Sequence, residues 1–386
     1  MKTEYSNIAA YTPEQFPDAL KRIISNQEFY RLVEHICHDQ LNDRYNADQV
    51  INSLKYVQNQ SQFDDVLIIK GLKALAAKAC NGLSLGGKEN LGLPAIFMSN
   101  HRDIILDAAF LSVLLKDITG KRIYFGAGTN LYVQSWVEDM LRINNGFAVI
   151  RGGSVHEMMR NSMQLSSYIR YLLTEENAGV WIAQREGRAK NSDDRTQPAL
   201  LKMLAMSGDK NLADNLRQLN IIPVSISYEY DPCDFLKAQE MQLKRDNPDW
   251  QKTPHDDFLN MFTGMLGKKG QTIFNITTPI NQNLDNILQS APNRNEQINA
   301  IATAIDKQIH LGYNIYKVNK IAYDLYLESD KFSTEYTGQD KSGFETYIEG
   351  QIAKIQIPDK DIAFLRNKIL EMYANPLINQ LNAMQH

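Results

Sequence analysis

The chain has 386 residues, 43% of them apolar, and a formal net charge of −4 at pH 7. That length suits one large domain with extensions, or two domains, with a sizeable core. The mildly acidic balance argues against wholesale nucleic-acid binding, although an acidic whole can carry a basic pocket.

Residues 1–90 read as an N-terminal helical region. In "ALKRIISNQEFYRLVEHI", Leu20, Ile23, Ile24, Leu32, Val33 and Ile36 recur at helical spacing. "FDDVLIIKGLKALAAKA" continues the pattern, with Asp64 or Asp65 as its N-cap. "NGLSLGGKENLGLP" then breaks the chain with glycines and a proline. Within 91–290 the texture changes to short apolar runs: "AIFMSN", "RIYFGAG", "GFAVIR", "GVWIAQ", "IIPVSISYEY" and "TIFNITTPI". The stretches between them are long enough for crossover helices, which predicts an α/β domain with a mostly parallel sheet flanked by helices. Residues 291–386 read as a C-terminal helical extension. "MKTEYSNIAAYTPEQF" shows no apolar core of a signal peptide. No window has the roughly 18 uninterrupted apolar residues of a spanning helix, so membrane contact is expected to be peripheral.

Ligands bind outside the carboxyl ends of strands in such sheets, and five polar clusters fall there. "SNHRDIILD" puts His101 on the turn after a strand, with Asp103 and Asp107 near the start of a helix. An imidazole held by a carboxylate can take a proton from a hydroxyl. The structural alternative makes Asp103 an N-cap and His101 a turn residue. "GAGTNL" ends in Leu131 where a dinucleotide fingerprint needs glycine. "GFAVIRGG" sets Arg151 before Gly152 and Gly153, suited to a phosphate or to a surface ion pair. "WIAQREGRAK" crowds Arg185, Glu186, Gly187, Arg188 and Lys190 at a strand end, as a pocket or as a solvated loop. In "IIPVSISYEY", Pro223 points to a strand start or an edge strand.

Two further patterns carry less. "GLSLG" matches the G-x-S-x-G elbow around Ser84, but a helix precedes it and a glycine-rich loop follows. "HICHD" offers His35, Cys37 and His38 without a second ligand group, so no metal site is expected. Cys37, Cys80 and Cys233 lie far apart, which fits reduced thiols.

The order of the five clusters resembles the glycerol-phosphate acyltransferase family. A His–Asp element, A-G-x-N-L, G-F-x-x-x-R, E-G-R and I-P-V follow one another between residues 94 and about 280. Ala127, Gly128, Asn130 and Leu131 look more like the branch that acylates glycerol 3-phosphate or dihydroxyacetone phosphate. The family's histidine and aspartate stand one residue closer than His101 and Asp107, and Leu106 occupies that position here. Gly187 is also followed directly by Arg188, and no proline precedes Glu186.

The resemblance implies an O-acyltransferase of phospholipid synthesis. His101 would be the general base and Asp107 its partner, with Asp103 the cap or the rival partner. Arg151 and Arg188 would hold phosphate, Glu186 a hydroxyl, and Asn130 and Gly187 would complete the acceptor site. Arg102 and Arg185 stand as further phosphate or thioester contacts. The donor would be acyl-CoA or acyl carrier protein, with no bound cofactor. The acceptor would be glycerol 3-phosphate or, as the alternative, 1-acylglycerol 3-phosphate or another lysolipid. A serine hydrolase using Ser84 and a non-catalytic lipid-binding relative are the remaining readings. The expected place is cytoplasmic, peripheral on the inner face of the membrane. "IIKGLKALAAKACNGL", with Lys70, Lys73 and Lys78, is either the docking helix or a helix packed on the domain.

Overall fold

Among the described residues, seven short strands join into one sheet, and their order explains where the polar clusters meet. The computed structural model describes residues 3–40, 46–132 and 134–385. The strands are β1 (Cys80–Gly86), β2 (Ala95–Ser99), β3 (Tyr124–Gly128), β4 (Gly146–Val149), β5 (Gly179–Ala183), β6 (Ile221–Tyr228) and β7 (Gly270–Ile276). They lie in the order β1-β7-β6-β2-β5-β3-β4. Every neighbouring pair is parallel except β6 and β7. The architecture is α/β, a mostly parallel sheet flanked by helices.

The helices that matter below are α1 (Phe16–Ile24), α2 (Gln27–His35), α3 (Ile69–Ala79), α4 (Leu106–Thr119), α5 (Ser135–Ile143), α6 (Val155–Thr174), α7 (Pro254–Leu266), α8 (Arg294–Leu311) and α9 (Ile362–Gln385). Strand residues alternate between faces. Ile96, Met98 and Val180 pack with Leu165 and Ile169 of α6 and Ile301 and Ile305 of α8. Phe97, Trp181 and Val224 pack on the other face with Leu75 of α3 and Phe110 of α4. Phe29 and Val33 of α2 join Trp136 and Val137 of α5 in a third cluster. A fourth gathers Ile321, Phe344, Leu365 and Tyr373 near the C-terminus.

Four local readings need correction. The glycine-rich break is strand β1, so the sheet begins upstream of residue 91. Glycine serves close approach there: a Cβ on Gly87, at φ +67°, would lie 1.9 Å from the Ile276 carbonyl oxygen. Ser84 therefore sits exposed in a strand rather than on a strand-to-helix elbow. Pro223 lies on β6, an inner strand between β2 and β7. Its missing N–H falls where the β6–β7 ladder stops, just beyond the Val224–Ile276 pair, and its carbonyl still accepts from Thr277. Neither Asp64 nor Asp65 caps a helix: a π-turn, Asp64–Ile68, runs into α3. Asp64 instead pairs with Arg122 and Lys116. Lastly, the first helical stretch divides at Ser25, where the Asn26 side chain caps α2 by accepting from the Glu28 and Phe29 N–H groups.

One buried amide fixes the exit from β2. The Asn100 side chain donates to the Ile226 carbonyl at 2.9 Å and accepts from the Ile226 N–H at 2.8 Å. It continues the β2–β6 ladder after the β2 backbone has left it. Asn100→Ala should lower unfolding free energy by roughly 2–4 kcal/mol, because two buried backbone groups lose their partner. Urea unfolding followed by circular dichroism measures it.

Candidate active site

Residues 100–105 leave the sheet at the carboxyl end of β2, and α4 starts at Leu106. His101 lies on that turn, its side chain 13% exposed. Its ring meets Trp181 of β5 edge-on, with centroids 5.6 Å apart. Trp181 is itself held by its indole N–H, which donates to Ser99 Oγ at 2.9 Å.

The aspartates divide cleanly. Asp107 Oδ2 lies 2.8 Å from His101 Nδ1. The same oxygen accepts the backbone N–H groups of Arg102 at 2.6 Å and Asp103 at 3.0 Å. Asp107 Oδ1 accepts the Tyr228 hydroxyl at 2.9 Å. Asp103 Oδ1 accepts the N–H groups of Ile105 and Leu106 at 2.9 and 2.8 Å, which makes it the cap of the turn. Burial pushes the Asp103 carboxyl above its ordinary range. Gly264 of α7 packs against it: a Cβ there would stand 2.4 Å from Asp103 Oδ2. The six-residue separation of His101 and Asp107 works because the histidine precedes the helix. With its proton on Nδ1 facing the carboxylate, the imidazole keeps Nε2 as its basic nitrogen.

His101 lines a cavity of about 670 Å³, within the usual range for small-molecule sites. Most of the wall is apolar: Phe29 and Leu32 of α2, Leu72 and Leu75 of α3, Ala108 and Ala109 of α4, Trp136 of α5, Phe262 and Met265 of α7. Arg151, Gly152, Arg185, Glu186 and Gly187 also line it. Arg151 Nη1 is 3.4 Å from Glu186 Oε1, with the two side chains 38% and 64% exposed. So open a pair is weak and exchangeable. A Cβ on Gly128 would come within 3.0 Å of the Arg151 guanidinium, which packs over that glycine. Arg185 has a buried Nε with no partner among the described residues. The Ser154 N–H, just beyond Gly153, is taken by Glu157 in a capping box at 2.8 Å, so α6 does not offer that N–H to a phosphate.

Some expected contacts lie elsewhere. Arg102 turns away from this cavity, pairs with Asp194 at 2.7 Å and lies 5.7 Å from the Tyr313 ring. Arg188 is buried and donates to Asn260 Oδ1 at 2.7 Å, off the cavity wall. In both cases a buried guanidinium takes a polar framework partner. Asn130 is exposed beside Gly128, its amide 3.5 Å from Asp257 Oδ2. Lys70 lines the cavity, while Leu75, Ala76 and Ala79 of α3 are buried, so this helix packs on the domain. Sequence patterns passed over Tyr228, Trp181 and the walls from α2 and α3. The Tyr228 signal was an aromatic hydroxyl in an otherwise buried strand, where such a group needs a partner.

Residues 83–227 match the model of the acyltransferase family. That segment is similar to the domain of this family. His101, Asp107, Arg151, Glu186 and Tyr228 fall in or at the edge of the matched acyltransferase segment, whereas α2, α3 and α7 lie outside it. Among solved structures, the chain is similar to the 1-acyl-sn-glycerophosphate (LPA) acyltransferase PlsC from Thermotoga maritima. The identity is 10%, the TM-score 0.39, and the match covers 79% of this chain and 100% of that one. No curated protein matches. Among the described residues no group of three His, Cys, Asp or Glu side chains is placed to hold a metal ion.

The cavity should take an aliphatic chain. A fluorescent fatty acid is expected to bind the purified protein and brighten. Ala109→Trp, which projects an indole into the cavity, should weaken that binding by about ten-fold or more, equivalent to roughly 1.4 kcal/mol. Fluorescence titration checks it.

Proposed function

We propose that the protein transfers a fatty acyl group from an acyl thioester to a hydroxyl of a glycerol-phosphate acceptor. The observation that carries the proposal is the His101–Asp107 pair, 2.8 Å apart, on the wall of an apolar cavity with an arginine-bearing rim. His101 Nε2 takes the acceptor's hydroxyl proton as the oxygen attacks the thioester carbonyl. The tetrahedral intermediate collapses, the C–S bond breaks, and the imidazolium returns the proton to the departing sulfur. Ester and free thiol result, with no acyl-enzyme. Asp107 holds the imidazole and stabilises its cationic form. Arg151, with its exchangeable Glu186 partner, receives the acceptor phosphate, and Arg185 lies along the same wall.

The donor is acyl-CoA or acyl carrier protein, and glycerol 3-phosphate is the favoured acceptor. A lysolipid acceptor such as 1-acylglycerol 3-phosphate is the second reading, supported by an apolar cavity that accommodates an acyl chain from either substrate. No described helix is long and apolar enough to cross a membrane. Peripheral docking at the inner membrane face draws support from exposed Val155, Met158, Met159 and Met163 on α6, beside the cavity wall at Ile150.

Purified protein with acyl-CoA or acyl carrier protein should release thiol in the presence of glycerol 3-phosphate, dihydroxyacetone phosphate or 1-acylglycerol 3-phosphate. No release with any of them overturns the proposal. Removing a general base costs about 10²–10⁴-fold, so His101→Ala should lower kcat by that order. Arg151→Ala should raise KM for the acceptor about ten-fold while changing kcat little, as loss of uniform binding does.

A further inference from the structure

Among the described residues, the Asp107 carboxylate has four donors, and each of its oxygens is engaged. Three of them, His101 and the N–H groups of Arg102 and Asp103, belong to the turn that carries the base, and all three use Oδ2. The fourth comes from another layer of the fold. Tyr228 lies 121 residues further along the chain, at the end of β6, and its hydroxyl donates to Oδ1 at 2.9 Å. Among the described residues, it is the one side chain hydrogen-bonded to that oxygen.

We infer that Tyr228 is a positioning residue of the base, holding the Asp107 carboxylate from the side opposite His101 and thereby setting both imidazole orientation and the basicity of the pair. The inference rests on the reading of His101 as the general base of acyl transfer. Without Tyr228, the remaining hydrogen bonds to this carboxylate among the described residues come from within its own turn and move with it. With Tyr228, the pair is referenced to the sheet.

The anchor itself is firm. Tyr228 pairs with Thr272 where β7 joins antiparallel to β6. The preceding Ser227 accepts the Asn314 N–H on its Oγ at 2.9 Å and the Tyr316 hydroxyl on its carbonyl at 3.2 Å. Burial and the adjacent Asp107 push the Tyr228 phenol well above its ordinary range, so it stays a donor throughout the working pH range. The charged and titratable groups around the pair are Arg102 and Asp103 on the turn, Cys80 on β1, Asp231 after β6 and Lys269 before β7. A phenol donating to a carboxylate stabilises the anion and lowers its proton affinity. Without that donor the buried carboxylate holds the imidazolium more tightly and is less fixed in direction. The pair becomes more basic and less well aimed.

The test compares the full-length parent, Tyr228→Phe, Asp107→Asn and the double variant in the thiol-release assay across pH. In Tyr228→Phe, kcat should fall on the order of ten-fold or more, as for a lost hydrogen bond to a charged group, with both KM values nearly unchanged. The acid limb of its kcat profile should move to higher pH. In the Asp107→Asn background, Tyr228→Phe should add little, since coupled residues are not additive. Replacing Tyr228 with 3-fluorotyrosine keeps the volume, strengthens the donor and should move the acid limb to lower pH, which covers the case in which phenylalanine disturbs folding. An unmoved acid limb in both variants, or losses that multiply in the double variant, overturns the inference. If the parent releases no thiol, the acyl-transfer reading fails instead. The positioning claim is then read from the His101 Nδ1–H signal in histidine-¹⁵N NMR spectra. That signal should shift in Tyr228→Phe, and an unchanged signal overturns the claim.

Discussion

A carboxylate buried without charge compensation is costly, and Asp107 has no solvent exposure. Its compensation is geometric: a turn that aims two backbone N–H groups at one oxygen, an imidazole N–H at the same oxygen and a phenol at the other. The conformation of residues 100–107 follows from this demand. His101 must precede the helix, Asp107 must enter its first turn, and Asp103 is left to cap that turn. The turn is tied to the inner strand β6 twice, through Asn100 to Ile226 and through Asp107 to Tyr228.

Around that fixed point the arginines divide by burial. Arg102 and Arg188 are desolvated and take framework partners, Asp194 and Asn260. Arg151 stays at the rim with Glu186, where its ion pair can be exchanged for a ligand's. A buried guanidinium stripped of its partner is costly, so of these three arginines the half-exposed Arg151 is the one whose partner can be exchanged at least cost, which is why the proposed function gives it the acceptor phosphate. The apolar wall contributed by α2, α3 and α7 lines the same cavity as that rim.

Much of this was legible in the sequence. The six apolar runs between 94 and 280 each contain a strand, because their alternating side chains fill both faces of a sheet. The order of the polar clusters places His101, Arg151, Arg185 and Glu186 on one cavity wall. What stayed hidden depends on partners distant in the chain. β1 exists because β7 comes to lie beside it, and its glycines, read locally as a break, permit that approach. Whether an arginine at a strand end faces a pocket or an Asp194 is not a local property. Tyr228 looked like one more strand residue until α4 placed Asp107 within 2.9 Å of its hydroxyl.

The central claim is that Asp107, not Asp103, serves His101 as the partner of a general base in acyl transfer. The most direct measurement is the rate of thiol release from an acyl thioester by Asp107→Asn and Asp103→Asn, under conditions where the parent turns over. An amide at position 107 presents the wrong polarity to the imidazole, and kcat should fall by about 10²-fold or more. At position 103 the amide oxygen still caps the turn, and kcat should stay within a few-fold of the parent. Loss of turnover in Asp103→Asn with retention in Asp107→Asn would contradict the account.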